Sequence, residues 1–193
     1  MFLSRSSTAP EPFAQKQLTL KHAFTVDRKS FLSRDLFLNP VHPSQPTYVL
    51  KRKTTHHIYY QIDQVYRNLA MTNDGVTIVA RRRAFRRAVS LECPEINLHT
   101  ELSKVSMFST KYSFVWNAET YLWKRHEYGN LNMACICPRT GSLVAEFRWR
   151  TAILPQLKNI GDLHLCDLAM RDPKFQSVLM AAFFVTLDAL LEC

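Results

Sequence analysis

Asp172-Pro173-Lys174-Phe175-Gln176-Ser177-Val178-Leu179-Met180-Ala181-Ala182-Phe183-Phe184-Val185-Thr186-Leu187-Asp188-Ala189-Leu190-Leu191 is the stretch that decides how this chain folds. Asp172 can cap a helix and Pro173 can occupy its first turn, where no intrahelical amide bond is needed. A surface helix carries one apolar stripe. Here Phe175, Val178, Leu179, Met180, Phe183, Phe184, Val185, Leu187, Leu190 and Leu191 cover every side, so the helix has to be wrapped by protein or by lipid. The uncharged run from Phe175 to Leu187 is thirteen residues, whereas a membrane-spanning helix needs about 20. Extension to Cys193 brings in Asp188 and Glu192, and a carboxylate near the bilayer centre costs about 2.5–3.5 kcal/mol. The expectation is a helix buried inside a protein domain, with Asp188 paired or emerging at one end.

Upstream of this helix the pattern belongs to strands. Tyr48 to Lys51, Ile58 to Ile62 and Thr72 to Val79 are rich in aromatic and branched residues, the last with an Asp74-Gly75 turn signal. Asn97 to Ser103, Phe114 to Trp116 and Tyr121 to Lys124 are further short strands. Asn130 to Cys137 and Ser142 to Trp149 flank Pro138-Arg139-Thr140-Gly141, a turn in which Gly141 takes a left-handed conformation. Along the second arm Leu143, Ala145, Phe147 and Trp149 are expected to face one way.

Many short strands leave exposed edges unless they close on themselves, and an all-round apolar helix needs an apolar surround. Each requirement answers the other. The expected fold is mainly β, a closed antiparallel barrel of roughly 12 strands, wide enough to enclose the C-terminal hydrophobic helix. Residues 1–17, with Ser, Thr, Pro and Gln and few aromatics, read as a flexible leader. Residues 18–46, broken by Pro40, Pro43 and Pro46, read as an N-terminal extension or first barrel elements, and 47–193 as the barrel domain.

Phe114-Val115-Trp116-Asn117, Tyr121-Leu122-Trp123-Lys124, the arm Leu143-Val144-Ala145-Glu146-Phe147 and the helix Asp172 to Leu191 together resemble the tubby C-terminal-like superfamily, which includes the phospholipid scramblases and LURP-one-related proteins. The small fungal members are the most similar in this order of elements. The resemblance covers roughly residues 47–193 and implies a twelve-stranded barrel around a central helix. Neither the cysteine-rich segment nor the acidic calcium loop of scramblase-like members is recognisable here.

Cys93, Cys135, Cys137, Cys166 and Cys193 form an odd, irregular set, which fits a reducing interior better than a disulfide framework. Cys135 and Cys137 lie one residue closer than zinc or redox spacing requires, and read as core thiols. The seven histidines are dispersed apart from His56-His57, and Glu119, Glu127, His164 and Cys166 match no nucleophile or acid–base motif. The expectation is therefore no catalytic residue, no metal and no cofactor. Met1-Phe2-Leu3 is too short for the apolar core of a secretion signal. The expected location is cytoplasmic, peripheral to a membrane, or nuclear.

Net charge is +9, with fifteen Lys or Arg against seven acids in residues 1–100 and ten against nine thereafter. The excess gathers in Lys51-Arg52-Lys53 and in Arg81-Arg82-Arg83 with Arg86 and Arg87. Guanidinium groups bind phosphate oxygens bidentately, and cations near an anionic bilayer contribute about 1 kcal/mol each. These eight residues are the candidate anion site of a non-enzymatic module docking on phosphoinositide-containing or other anionic membrane. Nucleic acid or an acidic protein is the alternative partner. Solvated strand ends are the ordinary reading of such charge runs.

Overall fold

The computed structural model describes residues 19–28, 35–43, 45, 47–53, 65–73, 76–83, 88–106, 109–125, 131–150 and 159–190. Its strands are β1 (Leu20–Arg28), β2 (Leu36–Pro40), β3 (Tyr48–Lys53), β4 (Val65–Asn73), β5 (Val76–Arg83), β6 (Ala88–Cys93), β7 (Leu98–Lys104), β8 (Tyr112–Trp116), β9 (Glu119–Arg125), β10 (Met133–Cys137), β11 (Ser142–Trp149) and β12 (Asn159–Cys166). Two helices follow, α1 (Asp167–Arg171) and α2 (Pro173–Leu190). Each strand pairs antiparallel with its neighbours in sequence, and β1 pairs with both β2 and β12, so the order of pairing returns to its start. The ring includes β1 and β2, which fall in the 18–46 segment read as an extension or first barrel elements. The expected Ile58–Ile62 strand and the 1–17 leader lie outside the described residues.

The ring is thinnest at one seam. Between β7 and β8 the ladder holds only Ser103 with Ser113 and Lys104 with Tyr112, extended by the Val105 N–H donating to the Lys111 carbonyl at 3.0 Å. Among the described residues Leu98 to Leu102 pair with β6 alone, and Phe114 to Trp116 with β9 alone. The strands part where aromatic bulk gathers: the Phe175 ring lies 4.9 Å from Tyr121, 6.0 Å from Trp116 and 6.5 Å from Phe114. Side-chain packing against the helix takes the place of backbone pairing on that stretch.

The helix fills the interior. Asp172 Oδ1 accepts from the Lys174 and Phe175 amides at 3.0 and 3.1 Å, the capping geometry that satisfies two otherwise orphaned donors. From Phe175 to Leu190 every residue except Ser177 and Ala189 is buried. Phe183 meets Phe147 at 5.1 Å and Trp123 at 5.4 Å. Polar groups on this helix are handled locally: the Thr186 hydroxyl donates to the Ala182 carbonyl at 2.8 Å, and the Gln176 side-chain oxygen accepts a long 3.4 Å bond from Tyr48. Asp188 is 5 % exposed and is not left without a partner. The short α1 was not expected; it turns the chain from the rim into the interior, bracing Asp167 on Lys21 at 2.9 Å.

Two local features refine the strand reading. The Pro138–Gly141 turn has Gly141 at φ 68° with its N–H on the Cys137 carbonyl at 2.8 Å. The expected alternation in β11 fails at Val144 and Ala145, both buried in succession, because the β10–β11 register shifts between Cys135 and Ile136. A bulge of this kind lets two consecutive residues turn inward. The β8–β9 connection is a two-residue turn with Asn117 at φ 48° and Ala118 at φ 63°, the positive-φ pair of a type I′ hairpin. Alanine is poorly suited to that region. Ala118→Gly is expected to raise stability by about 1 kcal/mol, read as a higher urea midpoint with unchanged slope; a lower midpoint would contradict the strain.

A candidate anion-binding end of the barrel

Because consecutive strands alternate in direction, each strand end belongs to one of two rims. The rim at the N-terminus of α2 collects Leu20, Pro40, Tyr48, Asn73, Val76, Cys93, Leu98, Trp116, Glu119, Cys137, Ser142 and Cys166, joined mostly by short turns. The opposite rim collects the other ends, and Arg28, Lys53, Arg83, Lys104 and Arg125 are each the last residue of a strand there. Lys111 directly precedes β8, Lys124 is one residue from the end of β9, and Arg150 directly follows β11. Helix α2 runs toward this rim, bringing the partial negative charge of its carbonyl end to the cationic side.

The backbone register brings the two sequence-predicted clusters together. Lys53 stands opposite Asn68, which stands opposite Arg81; Arg52 is opposite Leu69 and Lys51 opposite Ala70. Neighbouring strands are about 4.8 Å apart, so the Lys51–Lys53 and Arg81–Arg83 backbones flank β4 at about 10 Å. Arg67, on β4 between them, faces Arg82 in register. Arg67 escaped the sequence reading because it stands alone in its segment, with no charge run to mark it.

Arg81 is partly engaged, 3.1 Å from Glu92 on β6, with both side chains substantially exposed. Arg86 and Arg87 lie outside the described residues. Arg81, Arg82 and Arg83 are the last residues of β5, at the end of that strand away from the Asn73–Val76 pairing.

Among the described residues, acids at the same rim are fewer and largely engaged. Asp27 accepts from the Asn39 amide at 2.6 Å, and Asp162 is bound by Arg150 through two contacts of 2.8 and 3.0 Å. Glu101 is exposed. The cations are thus distributed over the ends of many strands, a geometry suited to an extended field of phosphates. Nothing among the described residues supports the expected phosphoinositide binding in particular.

The chemistry-bearing groups elsewhere are spent on structure. Cys93, Cys135, Cys137 and Cys166 are free and buried. Burial, reinforced by Cys166 and Cys137, pushes the Cys135 thiol well above its ordinary range, so it is no nucleophile at neutral pH. Glu119 is gripped by Arg139 through Nε at 2.9 Å and through a second, shorter contact, and accepts from the Cys137 thiol at 3.7 Å. His164 and Cys166 occupy alternate positions of β12. Among the described residues no three His, Cys, Asp or Glu side chains are grouped to hold a metal ion. Comparison with protein-family models, with curated proteins and with solved structures gives no match.

Proposed function

We propose that the protein is a non-enzymatic module that docks its cationic rim on an anionic, phosphate-bearing membrane surface. The observation that carries this reading is the gathering of Arg28, Lys53, Arg83, Lys104 and Arg125 at strand ends on a single side of the ring. A rim presented end-on can meet a flat field of charge with several cations at once, each contributing about 1 kcal/mol near an anionic bilayer. No helix among the described residues is long and apolar enough to cross a membrane, which agrees with peripheral attachment. The resemblance to the tubby C-terminal-like superfamily is part of this proposal, supported by the enclosed helix.

Vesicle sedimentation over a graded anionic-lipid content and a salt series tests it. Replacing Arg28, Lys53, Lys104 and Arg125 together by Gln is expected to weaken binding roughly a hundredfold or more with an unchanged urea midpoint. Vesicles of equal charge made with phosphatidylserine or with phosphoinositide should bind alike. No preference of the intact protein for anionic over neutral vesicles would reject the reading, and salt-sensitive binding confined to RNA or DNA would put nucleic acid in its place.

A further inference from the structure

His22 on β1 and His164 on β12 stand opposite one another in the register, their rings stacked with centroids 5.1 Å apart and planes inclined by 27°. This pair lies on the joint that closes the ring, where the first strand meets the last. The joint is irregular at the same place: the register shifts between His22 and Phe24, and again between Val26 and Asp27. Ala23, passed over by β12, instead accepts from the Val41 amide at 2.9 Å. Every strand of the barrel is bonded on both sides, but this is the one joint that unites the two termini of the sheet.

The surroundings are charged and nearly balanced. From β12, Asp162 approaches His22 Nε2 at 3.4 Å, 16 % exposed against 37 % for the histidine, while Arg150 holds the same carboxylate. From β11, Glu146 is opposite His164 and Arg148 opposite Asp162, and these two form their own pair at 2.8 Å. On β1, Lys21 is occupied by Asp167, and beyond β2 the exposed His42 follows Val41. With both imidazoles neutral, the two carboxylates and two guanidinium groups cancel. His164 Nδ1 is buried without a hydrogen-bond partner among the described residues, an arrangement a neutral ring nitrogen tolerates as an acceptor and a protonated one does not.

We infer that the stacked His22–His164 pair is an acid-sensitive latch, closing the β1–β12 joint when His164 is neutral and loosening it when His164 is protonated. A proton on His164 meets the positive field of Arg148 and has no acceptor for its Nδ1–H. Burial foremost, then Arg148 and His22, holds His164 below the ordinary histidine range. A histidine with a depressed folded-state pKa binds protons more readily when unfolded, so the joint is fully stabilised above about pH 6.5 and loses that stability as pH falls from there toward the folded-state value.

Hydrogen exchange of the full chain, corrected for intrinsic rates, tests the latch between about pH 7.5 and about pH 5.5. Amides of β1 and β12 should lose roughly tenfold more protection on acidification than those of β5 and β6. His164→Phe, which keeps a stacked ring, should remove that difference while the neutral-pH midpoint is kept or raised. Ring-proton titration of the wild type by NMR stands independently of whether the variant folds. Uniform loss of protection across the barrel, a His164 titrating at or above the ordinary value, or a His164→Phe protein that keeps the acid response would each overturn the inference.

Discussion

Phe183→Asp is expected to abolish folding, with no cooperative urea transition where the wild type shows one. The Phe183 ring is fully buried and lies between Phe147 at 5.1 Å and Trp123 at 5.4 Å, with Phe184 at 5.5 Å on the same helix. Removing a buried Phe ring costs about 3–5 kcal/mol by itself. A carboxylate placed there either stays charged without a partner or takes up a proton, and each route adds several kcal/mol. The sum reaches the whole stability of an ordinary domain, about 5–15 kcal/mol. Phe183→Leu, which keeps the site apolar, should cost only about 1–2 kcal/mol and retain a sharp transition. Fluorescence of Trp123, in ring contact with the site, reports both variants; a Phe183→Asp protein with the wild-type midpoint would be incompatible with an internal helix.

The helix was legible because its signal is local and redundant. Ten large apolar side chains on every face, an Asp cap and a Pro in the first turn leave few alternatives. The β10–β11 hairpin was legible for the same reason, since Pro138 and Gly141 specify the turn independently of what the arms touch. Strands such as β2, β6 and β12 carry weaker local evidence. β2 ends in Pro40, which ordinarily argues against a central strand, yet Pro40 pairs with Phe24 on β1 alone, since β3 pairs with β2 only as far as Leu38. β6 alternates in burial along Ala88 to Cys93, but its run is short and polar enough to pass for a loop. The parting of β7 from β8 has no sequence signature at all, because it follows from aromatic packing between residues as distant as Trp116 and Phe175.

The cationic rim was legible only where charges are consecutive. Lys51–Lys53 and Arg81–Arg83 announce themselves as runs, and the register places both at one end of the two strands that flank β4. Arg28, Arg67, Lys104, Lys111 and Arg125 are isolated in sequence and become a group only once strand direction assigns each to a rim. Period-two patterning reports which face of the sheet a residue takes, never which end. The stacked histidines were hidden similarly: His22 and His164 are 142 positions apart by subtraction of their numbers, and only the β1–β12 pairing makes them neighbours.

Gly161→Ala is expected to destabilise the barrel by about 3 kcal/mol, and Gly161→Val to prevent folding. Gly161 stands opposite Val26 on β1 and Trp149 on β11, at the centre of three paired strands. A Cβ there would come within 2.5 Å of the Arg148 carbonyl oxygen and 2.5–2.6 Å of the Phe147 ring. The carbonyl belongs to the sheet backbone and has little freedom to yield. The ring has no more, since it is pinned by Phe183 at 5.1 Å and meets Trp149 edge-on at 6.1 Å. The missing side chain thus makes the room in which Phe147 reaches the helix, and a methyl group would force ring and helix apart or split β11 from β12. Phe147→Leu should cost stability alone but partly relieve Gly161→Ala, so the two substitutions together should cost less than their sum, as expected for residues in direct contact. Urea titrations of the four proteins measure the coupling, and strict additivity would show that the glycine serves something other than the Phe147 ring.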